Sequence, residues 1–203
     1  RSGVGMKRII VGVGGASGVI YGVRLLEKLK AAGGVETHLV MSQTAIMNLE
    51  LETDFSHQEV RALADVNHRI TNVAAPVSSG SFLTDGMVIA ACSMKTLSGV
   101  VNSYADNLLI RAADVCLKDR RPLILMPRES PLHAGHCKLL YEAAMLGAVI
   151  APPMPAMYAR PQSVDDIIDH AVGRVLDLIG VNADFLKRWS GLKTARKDQK
   201  RGE

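Results

Sequence analysis

Short apolar segments alternate with amphipathic segments along most of the chain. Runs of apolar, often β-branched residues predict buried strands at 7–13, 37–42, 87–91, 122–127 and 147–152. Apolar positions at helical spacing predict helices over 17–32, 42–51, 106–118, 134–146 and 163–179, with shorter helices from 56 and from 93. Strands that are apolar on both faces and alternate with helices predict an α/β fold, with a mostly parallel sheet between two helical layers.

The last helix carries the clearest start signal, and two other segments carry almost no pattern. Ser163 with Asp166 three residues later is the signature of a capping box. Residues 54–86 are irregular after the short helix, and their small-residue run SSGS (78–81) has the character of a functional loop. The Pro-rich segment 151–162 is also predicted to be irregular.

Composition and charge describe an ordinary globular protein. Of 203 residues, 48% are apolar and 4% aromatic, which fits one domain over residues 6–189 and argues against a stacking platform for single-stranded nucleic acid. Residues 187–203 carry seven Lys or Arg against two acids, so the rest of the chain is close to neutral. We interpret 190–203 as a solvated basic tail, and residues 1–5, ahead of Met6, as an expression remnant.

Three cysteines without a metal-ligand spacing point to a reducing compartment. Cys92, Cys116 and Cys137 form neither a CxxC pair nor a His/Cys zinc pattern, and His133 and His136 lack an accompanying carboxylate pattern. No apolar run approaches the length of a membrane span. The expectation is a cytoplasmic protein without a metal, a membrane anchor or a nucleic-acid partner.

Serines follow three of the predicted strands. Ligands of open α/β sheets bind outside the carboxyl ends of the strands, where Ser17, Ser42 and Ser93 would each lie beside the amides of a helix N-terminus. Simple helix capping is the alternative role for such serines. Three of them on one rim favour a ligand that carries a phosphate.

The glycine pattern narrows the identity of that ligand. The chain has Gly12 and Gly14 but Ser17 where a dinucleotide fingerprint needs its third glycine, and Ser42 where a ribose-binding acid belongs. No Gly-Lys-Ser/Thr follows the loop. A mononucleotide such as FMN suits the small-residue loops better than NAD does.

Several charged residues are candidates for catalysis or substrate binding. Arg111 and Lys118 lie on one face of an apolar helix and need anionic partners; the alternative is that Arg111 pairs with Asp114 while Lys118 caps helix carbonyls. Glu52 lies just past the second predicted helix, and Arg128 with Glu129 directly follows the strand predicted at 122–127. Either carboxylate could accept or donate a proton if it is partly buried. A purely structural role is the alternative for both. For Tyr158, Arg160 and Arg174, the alternative is an ordinary surface position.

The chain resembles the UbiX family of flavin prenyltransferases. The resemblance is carried by GASG (15–18), ETD (52–54), SSGS, CSMKTL (92–97), NLLIRAADVCLKDRRPLILMPRE (107–129), PPMPAMY and RPQSVDDIID, in this order from about residue 7 to Trp189. Gly14 and Val77 depart from residues common in the family.

The resemblance implies a fold, a reaction and an assembly. It implies a Rossmann-like or flavodoxin-like three-layer sandwich, a homo-oligomer that is commonly a dodecamer with active sites between subunits, and no metal. The implied reaction transfers a dimethylallyl group from dimethylallyl phosphate to N5 and C6 of reduced FMN. The product is the prenylated FMN that UbiD-type decarboxylases use.

The resemblance also implies roles for individual residues. The flavin would contact Gly15, Ala16, Ser17, Ser42, Ser93, Met94, Lys95, Thr96 and Arg128. The prenyl phosphate and its leaving group would be held by Ser79, Arg111, Lys118, Tyr158 and Arg174, with Glu129 beside Lys118 as a proton shuttle. Glu52 would lie near the allylic group, Trp189 would be an aromatic of the C-terminal segment, and Ser17, Glu52, Lys118 and Glu129 would form the catalytic set.

Two other functions are compatible with parts of the pattern. A flavin-dependent cysteine decarboxylase needs a catalytic histidine and a PASANT-like loop, but this chain has VSSGSF there, and His57 and His68 lie in poorly patterned sequence. A carrier that only binds flavin for a decarboxylase would not need the charged residues beside the proposed phosphate site.

Overall fold

A parallel sheet forms the centre of the molecule. In the computed structural model, which describes residues 5–189 and 191, six strands are found: β1 Lys7–Val13, β2 Val35–Met41, β3 Val66–His68, β4 Gly86–Cys92, β5 Leu123–Pro127 and β6 Val149–Ile150. Their spatial order is β3-β2-β1-β4-β5-β6, and every neighbouring pair is parallel. This is the strand order of the Rossmann fold, so the predicted α/β class is confirmed.

Helices cover both faces of the sheet. They are α1 Ile20–Ala32, α2 Gln43–Glu52, α3 His57–Leu63, α4 Met94–Val101, α5 Leu108–Lys118, α6 Ala134–Met145 and α7 Val164–Leu178. Alternate side chains of β1 enter two separate cores: Ile9 and Val11 pack with α1, α2, α3 and α7, whereas Ile10 packs with α4, α5 and α6. We call these two sides the α7 face and the α5 face. The predicted three-layer arrangement is thus confirmed.

Helix starts agree with the capping signals except at α1. Ser42, Ser56, Ser93 and Ser163 each accept a hydrogen bond from a backbone amide in the first turn of the following helix. The predicted start at Ser17 is wrong, because α1 begins at Ile20 and its N-cap residue has no side-chain cap.

Strand β3 lies in the segment predicted to be irregular. Its three residues pair with β2 at the edge of the sheet, and the ring of His68 stacks on that of buried His38 with centroids 5.2 Å apart. A polar three-residue strand has no apolar run to reveal it, because its place is fixed by pairing with β2.

Helix α1 packs unusually close to the sheet. A Cβ on Gly22 would lie 2.5 Å from the carbonyl oxygen of Ala90 in β4. At the amino-terminal end of β1, Lys7 Nζ donates to the carbonyls of Ile179 and Gly180 and so caps the end of α7. These contacts fix α1 and α7 side by side on one face.

Among the residues that the structure describes, no helix combines the length and the apolar character needed to cross a bilayer.

The close approach of α1 predicts a large effect of one added methyl group. Gly22→Ala should lower the free energy of unfolding by about 1–3 kcal/mol, because a backbone oxygen cannot move aside. Gly99→Ala is the matched control, since its Cβ would meet the flexible end of Ile110 at 2.4 Å. Denaturant unfolding at one protein concentration compares them, and equal stability of the two variants would contradict this view of the α1 contact.

Candidate active site

The ends of four strands meet in one continuous rim. The amide of Ser42 donates to Val13 O at 3.0 Å, that of Gly14 to Ala91 O at 2.9 Å, and that of Arg128 to Cys92 O at 3.2 Å. The segments after β2, β1, β4 and β5 are therefore in contact, as expected for parallel strands whose carboxyl ends lie at one edge.

Glycines allow the loop after β1 to lie against its neighbours. A Cβ on Gly14 would be 2.6 Å from Ala91 O, and one on Gly15 would be 2.8 Å from Cβ of Thr44. Asn48 Nδ2 also donates to Gly15 O at 3.2 Å. The loop therefore sits between the segments that follow β2 and β4, where Ala16 is buried and Ser17 half-buried.

The three predicted serines fall into two classes. Ser42 Oγ accepts from the Ala45 amide at 3.0 Å, and Ser93 Oγ accepts from the Thr96 amide at 3.2 Å, so both act as helix caps. Ser17 has no hydrogen-bond partner among the described residues. Its hydroxyl is therefore open to a ligand both as a donor and as an acceptor.

Glu52 occupies the amide site in front of α1. Its Oε2 accepts from the amides of Gly18 at 2.7 Å and Val19 at 3.3 Å. The carboxylate thus caps the backbone amides directly ahead of α1, which is the structural role left open for Glu52, whereas capping was only the alternative role of Ser17. A ligand phosphate would meet a negative charge there, so this helix N-terminus is not its binding place.

An open cleft of about 540 Å³ lies beside this loop. It is lined by Ser17, Gly18, Ile20, Tyr21, Glu52, Arg128, Pro153, Val164 and Ile168. Its wall combines apolar side chains with the polar groups of Ser17, Glu52 and Arg128, as in pockets where a few polar groups orient a ligand. The structure thus brings Ser17, Glu52 and Arg128 together.

The N-terminus of α4 forms another part of the rim. Ser93 Oγ lies 3.1 Å from Thr96 Oγ1. Thr96 is buried, and its Oγ1 would lie 3.4 Å from a Cβ added to Gly14. Lys95 is exposed, and like the side chain of Arg128 it makes no ion pair with another described residue. Two cations at this edge are therefore available to an anionic ligand.

Arg111 and Lys118 lie on the α5 face, next to the loop that carries Ser79. Arg111 Nη1 pairs with Asp114 at 2.7 Å, and its Nε donates to Ser78 O at 3.1 Å. Lys118 Nζ pairs with Asp119 at 2.8 Å, and this hydrogen bond lowers the pKa of Asp119. The Asp114 alternative is confirmed for Arg111, whereas Lys118 binds a neighbouring carboxylate and not the helix carbonyls.

Glu129 and Lys118 lie at opposite edges of the sheet within one protomer. Glu129 comes two residues after β5 at its carboxyl end, whereas Lys118 ends α5, five residues before the strand begins. A five-residue parallel strand spans about 16 Å. The expectation that Glu129 lies beside Lys118 is wrong for a single protomer, in which Glu129 accepts from the Ser130 amide at 3.0 Å.

Tyr158 and Arg174 belong to a third cluster, on the α7 face. Tyr158 Oη lies 3.0 Å from His170 Nε2, and its ring contacts that of Trp189 edge-on at 5.6 Å between centroids. Arg174, 56% exposed, pairs with Asp177 at 2.9 Å. Burial, together with the positive charge of Arg174, lowers the pKa of His170.

The predicted residues therefore occupy three places in one protomer. Those assigned to the flavin lie at the carboxyl edge, while those assigned to the prenyl phosphate are divided between the two faces. Sequence reasoning missed Asp119 and His170, the partners of Lys118 and Tyr158. Only helical spacing could have indicated His170, which lies one turn before Arg174 on α7.

Metal and thiol chemistry receive no support from the described residues. Among them, no group of three or more His, Cys, Asp or Glu is placed to hold a metal ion. Burial raises the pKa of the Cys92 and Cys116 thiols to about 12, so both stay protonated at neutral pH.

Comparison with known proteins places the chain among flavin enzymes. The sequence profile of a family described as Flavoprotein matches residues 2–176. Flavin prenyltransferase UbiX of Escherichia coli K12 is 61% identical over 188 residues, which cover 92% of this chain and all of that protein.

Two solved structures share the fold closely. AnUbiX (PadA1), crystallised with FMN and dimethylallyl pyrophosphate, aligns with a TM-score of 0.90 at 47% identity, over 92% of this chain and 98% of its own. A dodecameric FMN-dependent UbiX-like decarboxylase of Escherichia coli O157:H7 aligns with a TM-score of 0.89 at 49% identity, over 91% and 100%.

The cap of α1 predicts that Glu52 contributes to stability. Glu52→Ala should lower the free energy of unfolding by about 0.5–2 kcal/mol, because two amides lose their acceptor and a negative charge leaves the N-terminus of α1. Glu50→Ala, at an exposed position of the same helix, is the control and should leave stability unchanged. Thermal unfolding of both variants decides, and equal transition temperatures would show that Glu52 does not cap α1.

Proposed function

The chain belongs to the flavoprotein family and, within it, to the UbiX flavin prenyltransferases, and we propose that it transfers a dimethylallyl group from dimethylallyl phosphate to N5 and C6 of reduced FMN. The observation that carries this proposal is the cleft at the carboxyl edge, where the free hydroxyl of Ser17 and the unpaired cation of Arg128 stand among apolar side chains.

The rim residues fit FMN by size and chemistry. Reduced FMN supplies an electron-rich ring that accepts the prenyl group. We assign its binding to Gly15, Ala16, Ser17, Ser42, Ser93, Met94, Lys95, Thr96 and Arg128. The capping serines keep a hydroxyl proton to donate, and Lys95 and Arg128 bring positive charge, while the glycines keep the rim open to a wide ring.

The prenyl phosphate requires cations around its leaving group. Negative charge grows on the phosphate as the allylic carbon departs, so positive groups that face it stabilise the transition state. We assign this task to Arg111, Lys118 and Arg174, with the hydroxyls of Ser79 and Tyr158. Each cation is held in the protomer by a nearby carboxylate, which a phosphate can replace.

The complete site needs more than one protomer. The cations of the α5 face and of the α7 face are separated by the sheet, and each group is at least partly exposed. Protomers that pack with one group against the carboxyl edge of a neighbour would bring all of them to one cleft. We therefore propose a homo-oligomer with shared sites, and a dodecamer by analogy with the dodecameric UbiX-like relative.

Two carboxylates complete the proposed catalytic set. Glu129 directly follows Arg128 and is exposed at the cleft edge, where it can accept the proton that leaves ring C6 and pass it to the departing phosphate oxygen. Lys118 holds that oxygen.

Glu52 orients the Ser17 loop through the amides of Gly18 and Val19 and lines the cleft near the allylic group. Trp189 packs on Tyr158 and supports it.

We further propose that the product serves a UbiD-type decarboxylase and that the enzyme works in the cytoplasm. The second proposal rests on the cysteines, because Cys92, Cys116 and Cys137 are all free thiols, and such thiols persist in a reducing compartment.

Incubation with reduced FMN and dimethylallyl phosphate tests the proposed reaction. Mass spectrometry should show a gain of one prenyl unit on the flavin; an unchanged flavin would contradict the proposal and leave a flavin carrier.

Glu129→Gln should keep FMN affinity but slow turnover by about 10²-fold or more, as expected when a proton shuttle is removed. Glu142→Gln, a surface variant on α6, is the control.

A shared site predicts that two inactive variants restore each other. Arg174→Ala should weaken prenyl-phosphate binding more than FMN binding. Arg188 also pairs with Asp177, so Arg188→Ala is the control that removes the other partner of this aspartate, and it should not have this effect. Oligomers reassembled from equal amounts of Arg174→Ala and Glu129→Gln protomers should recover about a quarter of wild-type turnover, since random mixing leaves that fraction of sites intact. No recovery would place Arg174 and Glu129 in the same protomer's site.

A further inference from the structure

A nearly buried arginine holds the loop that presents Ser79. The side chain of Arg121, 12% exposed, follows α5 and points into the loop formed by residues 79–85. Its Nη1 donates to Phe82 O at 2.8 Å and to Thr84 Oγ1 at 3.1 Å, and its Nη2 donates to Gly80 O. One guanidinium thus satisfies two carbonyls and a hydroxyl of a single loop.

The same guanidinium also reaches Lys118. Nη2 of Arg121 pairs with Asp119 Oδ2 at 2.9 Å, and the other oxygen of that carboxylate pairs with Lys118 Nζ at 2.8 Å. A Cβ on Gly80 would lie 2.5 Å from Asp119 Oδ2 and 2.7 Å from Lys118 Nζ. The loop backbone therefore rests directly on the Lys118–Asp119 pair.

The far end of the loop is anchored to the sheet by other groups. Arg8 lies over the ring of Phe82 at 4.4 Å and donates to Leu83 O at 2.9 Å, and His38 meets the same ring edge-on at 5.3 Å. Neither residue has a hydrogen bond to Gly80 or Asp119. Among the described residues, Arg121 alone makes side-chain polar contacts both to this loop and to Asp119, the partner of Lys118.

The chemistry of this position calls for a guanidinium. It offers five donors in a fixed plane and no acceptor, so it can bind loop carbonyls on one edge and a carboxylate on the other. An ammonium lacks the second edge. Lys118 is 46% exposed and long, so its position depends on Asp119, which Arg121 holds in turn.

We propose that Arg121 is a positioning residue of the prenyl-phosphate site, which fixes the Ser79 loop and, through Asp119, the ammonium of Lys118 in one arrangement. This inference rests on the proposed function, in which Ser79 and Lys118 bind the phosphate. Arg121 itself touches neither substrate.

The test separates substrate binding from flavin binding. Arg121→Gln and Arg121→Lys should raise KM for dimethylallyl phosphate by about 10- to 100-fold, since misplaced binding groups cost rate at this scale. The Kd for FMN should change less than about twofold, because the Arg121 contacts lie ahead of β4 and β5, at the opposite ends of the strands from the flavin residues. Arg120→Gln is the matched control. It removes the same charge from the exposed neighbouring residue, whose side chain makes no hydrogen bond or ion pair with another described residue, and the variant should keep wild-type KM.

Gly80→Ala provides a second route should Arg121→Gln fail to fold. It leaves the guanidinium in place but displaces the Lys118–Asp119 pair, so it should also raise KM for dimethylallyl phosphate and spare FMN binding. Wild-type KM in Arg121→Lys or in Gly80→Ala, or equal losses for both ligands, would overturn the inference. Wild-type protein that fails to prenylate FMN would instead overturn the proposed function.

Discussion

Strand β5 keeps apart two groups that the proposed reaction needs side by side. In a parallel sheet, every residue after a strand lies at one edge and every residue before it lies at the other. Arg128 and Glu129 therefore stand at the cleft, while Lys118 stands about one strand length away, roughly 16 Å. No side-chain rotation closes such a distance. In the proposed reaction, the phosphate-binding cations would therefore come from a second protomer, and the exposed clusters on both faces would become parts of one site only through assembly.

Charge compensation shows how these clusters remain stable before they meet a substrate. Arg111, Lys118 and Arg174 each pair with an aspartate one to three residues further along the chain. Partly exposed pairs of this kind contribute little to folding stability. A phosphate can therefore displace the carboxylates at small cost. Arg128, by contrast, is left unpaired at the cleft, where its charge is available to the flavin.

The sequence predicted the frame of the molecule better than the connections within its site. Apolar runs located five strands, and Ser93 and Ser163 marked helix starts, because these signals depend on neighbours along the chain. Strand β3 escaped prediction because its three residues are ordered by pairing with β2. The start of α1 was predicted at Ser17, but α1 begins at Ile20, and Glu52 of another helix, 33 to 34 residues away in sequence, holds the two amides ahead of it. Strand β5 lies between Lys118 and Glu129, so their separation could have been predicted from the direction of that strand. Because the two residues are close in sequence, they were expected to be close in space.

A structure of the oligomer with FMN and dimethylallyl phosphate tests the shared site most directly. We expect a flavin in the cleft beside Ser17 and Arg128, with the phosphate oxygens bonded to Lys118 and Arg111 from one protomer and to Arg174 from another. We also expect the aspartate partners of these cations to have been released. A phosphate held by a single protomer, or cations that remain paired with Asp114, Asp119 and Asp177, would contradict it.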